Sequence, residues 1–169
     1  MSTNFIDIEN RPLSNFDIIN ICKKLKINLT NVVMKDELHD DDMAIGNTYI
    51  MNLQSSYEPG THWTAIIIYS DSVLYFDSFG VICPENEYQL FKHHFPFIFY
   101  NTTDIQNINS VLCGWYCIAL LAYLHYNRNK NTIPHLASEF LKLFSKDNSK
   151  NDKILRTFFR KLALKLKIH

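Results

Sequence analysis

Cys113 opens an apolar stretch of the chain, and Gln106 stands seven residues before it, with His62 and Asp77 further upstream. A cysteine at the start of a helix has its thiolate favoured by the positive end of the helix dipole. A histidine can take the thiol proton, and a carboxylate can hold that histidine in the tautomer the transfer needs. A glutamine amide shortly before the cysteine can donate to an oxyanion forming on an attacked carbonyl. The four roles, met in the order His, Asp, Gln, Cys, are those of amide hydrolysis by a thiol. That chemistry calls for no metal and no organic cofactor.

The elements that must position these groups are legible in the pattern. Residues 62–69 and 73–77 read as a hairpin turning at Ser70-Asp71-Ser72. If Tyr69 pairs with Ser72, His62 falls opposite Phe79 and Asp77 opposite Thr64, so His62 and Asp77 share a face. A slip of one residue would put them on opposite faces, so this chemistry requires an even-length turn. In that arrangement Asp77 would accept from His62 Nδ1–H, while Asp71 sits at the hairpin tip and cannot. The first of these strands is apolar on both faces and should be central in a sheet.

Other elements follow from local signals. Ser14 with Asp17 reads as a capping box opening a helix to about Ile27. Strands are expected over residues 28–34, 48–53 and 97–100, and a helix over 84–94 with Pro84 near its first turn. The acidic run Asp36 to Asp42 reads as a solvated loop, and 101–112 as the polar connection carrying Gln106. Residues 113–126 are apolar nearly all round and predict a buried helix, with further helices over 133–144 and 151–167. The whole is a single α+β domain, residues 1–169, with a mixed sheet flanked by helices.

Cys113 and Cys117 fall on one helix face, but only Cys113 meets the helix end, where Gly114 permits close backbone approach. Cys117 reads as core. A metal set of Cys113, Cys117 and His125 fails because no second pair with ligand spacing accompanies it.

Gly60-Thr61-His62-Trp63, the block Tyr75-Phe76-Asp77-Ser78-Phe79-Gly80 and the block from Gln106 to Cys113-Gly114 together resemble the adenain and SUMO-protease superfamily, clan CE. The resemblance covers residues 28–126. The step from Gln106 to Cys113 is nearer the adenovirus-type maturation proteases than the cellular SUMO-specific enzymes, which usually carry Asp where this chain has Leu112. Short proteases of virophages and polinton-like elements are the nearest expectation.

The resemblance implies a papain-like-superfamily fold with the nucleophile at the N-terminus of a buried helix. His62 would be the base, Asp77 the orienting acid, and Gln106 with the Cys113 amide the oxyanion hole. Trp63 would adjoin the substrate channel and favour glycine near the scissile bond, with Gly114 beside it. The implied activity is endoproteolysis of viral capsid or core precursors, in the virion and the host cytoplasm. Adenain is activated by a disulfide-linked peptide and by DNA; this chain has no cysteine just before Gln106 to accept such a peptide. The alternatives are an isopeptidase acting on ubiquitin-like modifiers and a non-catalytic nucleic-acid-binding core protein.

Composition bounds these readings. At 169 residues, with 4 Gly and 5 Pro, the chain suits one domain with a sizeable core and no long linker. No apolar run approaches the ~20 residues of a membrane span, and with no basic flank followed by an apolar segment at the N-terminus a secretory signal is not expected. Four cysteines without dense spacing favour a reducing compartment. Net charge is zero, yet residues 1–119 carry 6 Lys/Arg against 14 Asp/Glu and residues 120–169 carry 11 against 3. On the last helix Arg156, Arg160 and Lys161 lie opposite the apolar positions. They are the candidates for a sequence-independent contact with nucleic acid, which would make DNA a non-specific activator. A monomer is expected.

Overall fold

The computed structural model of the chain describes residues 6–168. A five-stranded mixed sheet with the order β1-β2-β3-β4-β5 is its centre. The strands are β1 (Asn31–Met34), β2 (Thr48–Asn52), β3 (Trp63–Tyr69), β4 (Ser72–Phe76) and β5 (Phe97–Tyr100). The outer pairs β1/β2 and β4/β5 are parallel, and the inner pairs are antiparallel. The helices are α1 (Asn15–Lys24), α2 (Glu85–His94), α3 (Cys113–Asn127), α4 (Ile133–Leu141) and α5 (Asn151–Leu166).

Strand alternation divides the core in two. Ile50, Ala65, Ile67, Leu74 and Phe76 pack against α1, α3, α4 and α5. Their neighbours Met51, Ile66, Ile68, Val73 and Tyr75 pack against Leu38, Met43, Phe91 of α2 and Phe95 just past its end. Covered on both faces, β3 has every residue but Tyr69 buried. Its polar Thr64 is reconciled with that burial by donating to the Met51 carbonyl at 3.1 Å.

The hairpin has the expected even turn. Ser70, at φ 51°, and Asp71 reverse the chain, so that Tyr69 pairs with Ser72 and Ala65 with Phe76. At the start of α1 both arms of the capping box form, Asp17 N–H to Ser14 Oγ and Ser14 N–H to Asp17 Oδ2. That helix stops at Lys24, short of Ile27, because Lys26 turns into the left-handed region at φ 55°. The acidic run is two short 3₁₀ turns, Lys35–Glu37 and Asp40–Asp42. On α5 the fully buried aromatic is Phe159, while Phe158 is half-buried. Among the described residues no helix is long and apolar enough to cross a membrane.

Candidate active site

His62 and Asp77 each lie one residue outside the paired strands, at the rim where β3 begins and β4 ends. The register brings them together on one face, and His62 Nε2 meets Asp77 Oδ1 at 2.9 Å. This corrects the expected use of Nδ1. Because the carboxylate accepts only, Nε2 carries the hydrogen, and Nδ1 is the nitrogen left for the thiol. Phe79 completes the clamp: its ring stacks on the imidazole at 4.9 Å between centroids, and its N–H donates to Asp77 Oδ1 at 2.7 Å. Asn101 holds the Asp77 backbone from both sides, donating to its carbonyl and accepting from its N–H.

Burial works against a charge on His62. The hydrogen bond to Asp77 and the nearness of Cys113, with the charges those groups can carry, outweigh it and raise the pKa to about 9. Cys113 is the first residue of α3. The preceding Leu112 gives no side-chain cap, so the first-turn N–H groups remain for an anion forming there. The other thiols are placed as inert core. Burial pushes Cys22 up to about 12 and raises Cys83 and Cys117 as well. Cys117 donates to the Trp63 carbonyl at 3.3 Å.

Gln106 is buried at 2% exposure, and its amide is fixed at both ends. Oε1 accepts from Ser78 Oγ at 2.6 Å, and Nε2 donates to the Ser110 carbonyl at 2.8 Å. A primary amide has two N–H groups, so one remains to be offered to the cleft that Gln106 lines with Cys113. The loop beneath is held by α5. Asn151 Nδ2 donates to the Ile105 carbonyl at 2.9 Å, and Ser110 Oγ donates to Asp152 Oδ1 at 2.9 Å.

The cleft has a volume of about 550 Å³ and is bounded by residues 12–15, the edge strand β1 and the loop from Glu58 to His62. Gly60 bends that loop at φ 27°, and Asn52 Oδ1 beneath it accepts from Thr61 N–H. Trp63 lies on the wall and donates its indole N–H to the Leu13 carbonyl at 2.8 Å. Gly114 lies behind the wall: a Cβ there would come within 3.2 Å of Leu13 Cδ1 and Trp63 Cδ1. Its smallness lets α3 approach the segment that walls the cleft.

The three basic candidates on α5 separate. Arg160 and Lys161 are exposed, whereas Arg156 is half-buried and donates to the Ile8 carbonyl. Sequence reasoning gave no role to Asn101, Ser110 and Asp152, named Ser78 only as part of a motif, and named Phe79 there and as the residue opposite His62. Only those last two carried a signal, their place next to Asp77.

No family model matches the chain, and no curated protein matches it either. Among solved structures the chain is similar to the ASFV pS273R protease. In one crystal structure of that protease the TM-score is 0.59 at 16% identity, over 91% of this chain and 68% of that one. A selenomethionine crystal structure of the same protease gives 0.55 at the same identity and coverage. At this identity the likeness establishes a shared fold, the α+β architecture of that viral protease.

Proposed function

We propose that this chain is a viral cysteine endopeptidase of the adenain type, which cleaves capsid or core precursor proteins during particle maturation. The observation that carries the reading is the 2.9 Å bond between His62 and Asp77 at the rim of a cleft that Cys113 and Gln106 also line. The fold shared with the ASFV pS273R protease supports it.

In this reading His62 Nδ1 takes the proton of Cys113, giving a thiolate beside an imidazolium. The sulfur attacks the scissile carbonyl carbon, a C–S bond forms, and the electron pair of the C=O moves to oxygen. Gln106 Nε2–H and the Cys113 N–H hold that oxyanion. The oxyanion collapses, the C–N bond breaks, and the imidazolium gives its proton to the leaving amine. Water then attacks the thioester as His62 takes its proton, and the acid leaves as the thiolate is restored. Asp77 keeps the imidazole oriented and balances its charge throughout.

The indole of Trp63 on the cleft wall is the group expected to favour a small residue, glycine, near the scissile bond. Arg160 and Lys161 are the exposed cations for a non-specific DNA contact, in the virion and the viral factory of the host cytoplasm. The enzyme is expected to act as a monomer. The test is incubation with particle precursor proteins and, separately, with diglycine-ended ubiquitin-like conjugates, mapping every new N-terminus. Endoproteolysis of precursors at glycine-containing sites is expected. Release of modifiers alone would replace the reading with an isopeptidase, and no cleavage of either would overturn it.

A further inference from the structure

Far from the cleft, two segments bring metal-ligating atoms together. Asp40 begins the 3₁₀ turn Asp40–Asp42, and His93 and His94 end α2. One ligand atom from each of the three lies within 4.8 Å of the others. His94 Nε2 meets Asp40 Oδ1 at 2.7 Å, and the two imidazole rings stand at 87° with centroids 5.0 Å apart. The turn is braced from within, because His39 N–H donates to Asp42 Oδ2 at 2.8 Å. Phe97, which follows α2, pairs with Ser72 at the start of β4, whereas Asp77 follows the end of β4. The cluster therefore sits at the opposite end of the sheet from the catalytic groups.

We propose that Asp40, His93 and His94 form a binding site for a divalent transition metal of the zinc class, which cross-links the 3₁₀ turn to the C-terminal end of α2. Two imidazoles and one carboxylate suit Zn²⁺, Co²⁺, Ni²⁺ or Cu²⁺ and not the all-oxygen preference of Mg²⁺ or Ca²⁺. The position adds a second attraction. The last carbonyls of a helix carry the negative end of its dipole, which favours a cation there. All three residues are exposed, so water completes the coordination and the ion has an open path in. A bound ion would hold the turn against α2 without touching the reaction.

The test is titration of the full-length chain with Co²⁺, followed by displacement with Zn²⁺, in wild type and in Cys113→Ser. Uptake of one ion per chain is expected in both, with ligand-field absorption, no thiolate-to-metal charge-transfer band from this site, and a higher melting temperature. The pair His93→Ala and His94→Ala should weaken binding by at least about 10–100-fold, as loss of even supporting groups does at metal sites. Asp40→Asn should weaken it in the same direction, and both variants are at the surface and should fold. No saturable uptake, uptake that Cys113→Ser abolishes, or uptake indifferent to the histidine pair would each overturn the proposal. A simple His94–Asp40 ion pair is what would then remain.

Discussion

Asp152 Oδ1 accepts from Ser110 Oγ at 2.9 Å, so the first turn of α5 holds the loop that carries Gln106. The same carboxylate accepts from the Tyr116 hydroxyl at 2.9 Å, one turn into the helix that Cys113 opens. Oxyanion donor and nucleophile are thereby referred to one anchor. Ser110 Oγ also accepts from Leu112 N–H, so the chain is held up to the residue before Cys113.

Asp152→Ala should therefore lower turnover more than substrate affinity, because the donor it positions is needed only when charge develops on the carbonyl. Gln106→Ala, which removes the donor, should cost about 10²–10³ in turnover. In the Gln106→Ala background Asp152→Ala should cost less turnover than in wild type, keeping only what it supplies through Tyr116 to the helix of Cys113. Stability should also fall by about 1–3 kcal/mol, since the hydroxyls of Tyr116 and Ser110 lose their acceptor. Steady-state kinetics of the double-mutant cycle with urea melts checks both. Additive losses would mean that Asp152 acts on the reaction by another route.

Asp77→Asn should preserve the fold and lower the rate steeply, by about 10⁴ if it behaves as the corresponding change does in the serine-protease triad. An asparagine amide can donate to Nε2, which leaves the hydrogen on Nδ1, the nitrogen that must accept from the thiol. Asp71→Asn, at the hairpin tip, should be nearly silent. Turnover of the two variants on one peptide decides the ranking, and the reverse order would contradict the observed register.

The pH profile follows from His62. With its folded pKa raised to about 9, the imidazolium persists through neutral pH, and activity should fall on an alkaline limb near pH 9. The stability it contributes is complete below the unfolded value of about 6.5 and is lost as pH rises from there through about 9. Thermal melts across that range should show the loss in wild type and not in His62→Ala. Asp77→Asn should move the alkaline limb downward, because it removes the strongest favourable partner of the charge.

Much of this site was legible because it depends on local rules. A two-residue turn and strict alternation pair Tyr69 with Ser72 and Ala65 with Phe76, which brings His62 and Asp77 to one face, and β5 was delimited by its aromatic run. What lay hidden is set by tertiary packing. Which imidazole nitrogen meets Asp77 depends on the ring rotamer, which strand alternation does not specify. Asn101 and Asp152 reach their partners across 24 and 42 residues of chain, with no periodicity to announce them. Arg156 looked like one more surface cation on α5, but its guanidinium is half-buried and donates to the Ile8 carbonyl, 148 residues away in the chain. The same holds for Gly114, which the resemblance put beside the substrate channel and where a Cβ would meet Leu13 and Trp63.

The measurement that tests the central claim most directly is mild iodoacetamide labelling of the native protein at neutral pH, with peptide mapping and parallel peptidase assay. Cys113 lines the cleft beside His62, while burial raises the pKa of Cys22, Cys83 and Cys117. Cys113 alone should be alkylated, with activity lost in proportion, and His62→Ala should slow the labelling. Activity that survives full alkylation of Cys113, or the same labelling rate at all four cysteines, would contradict the account.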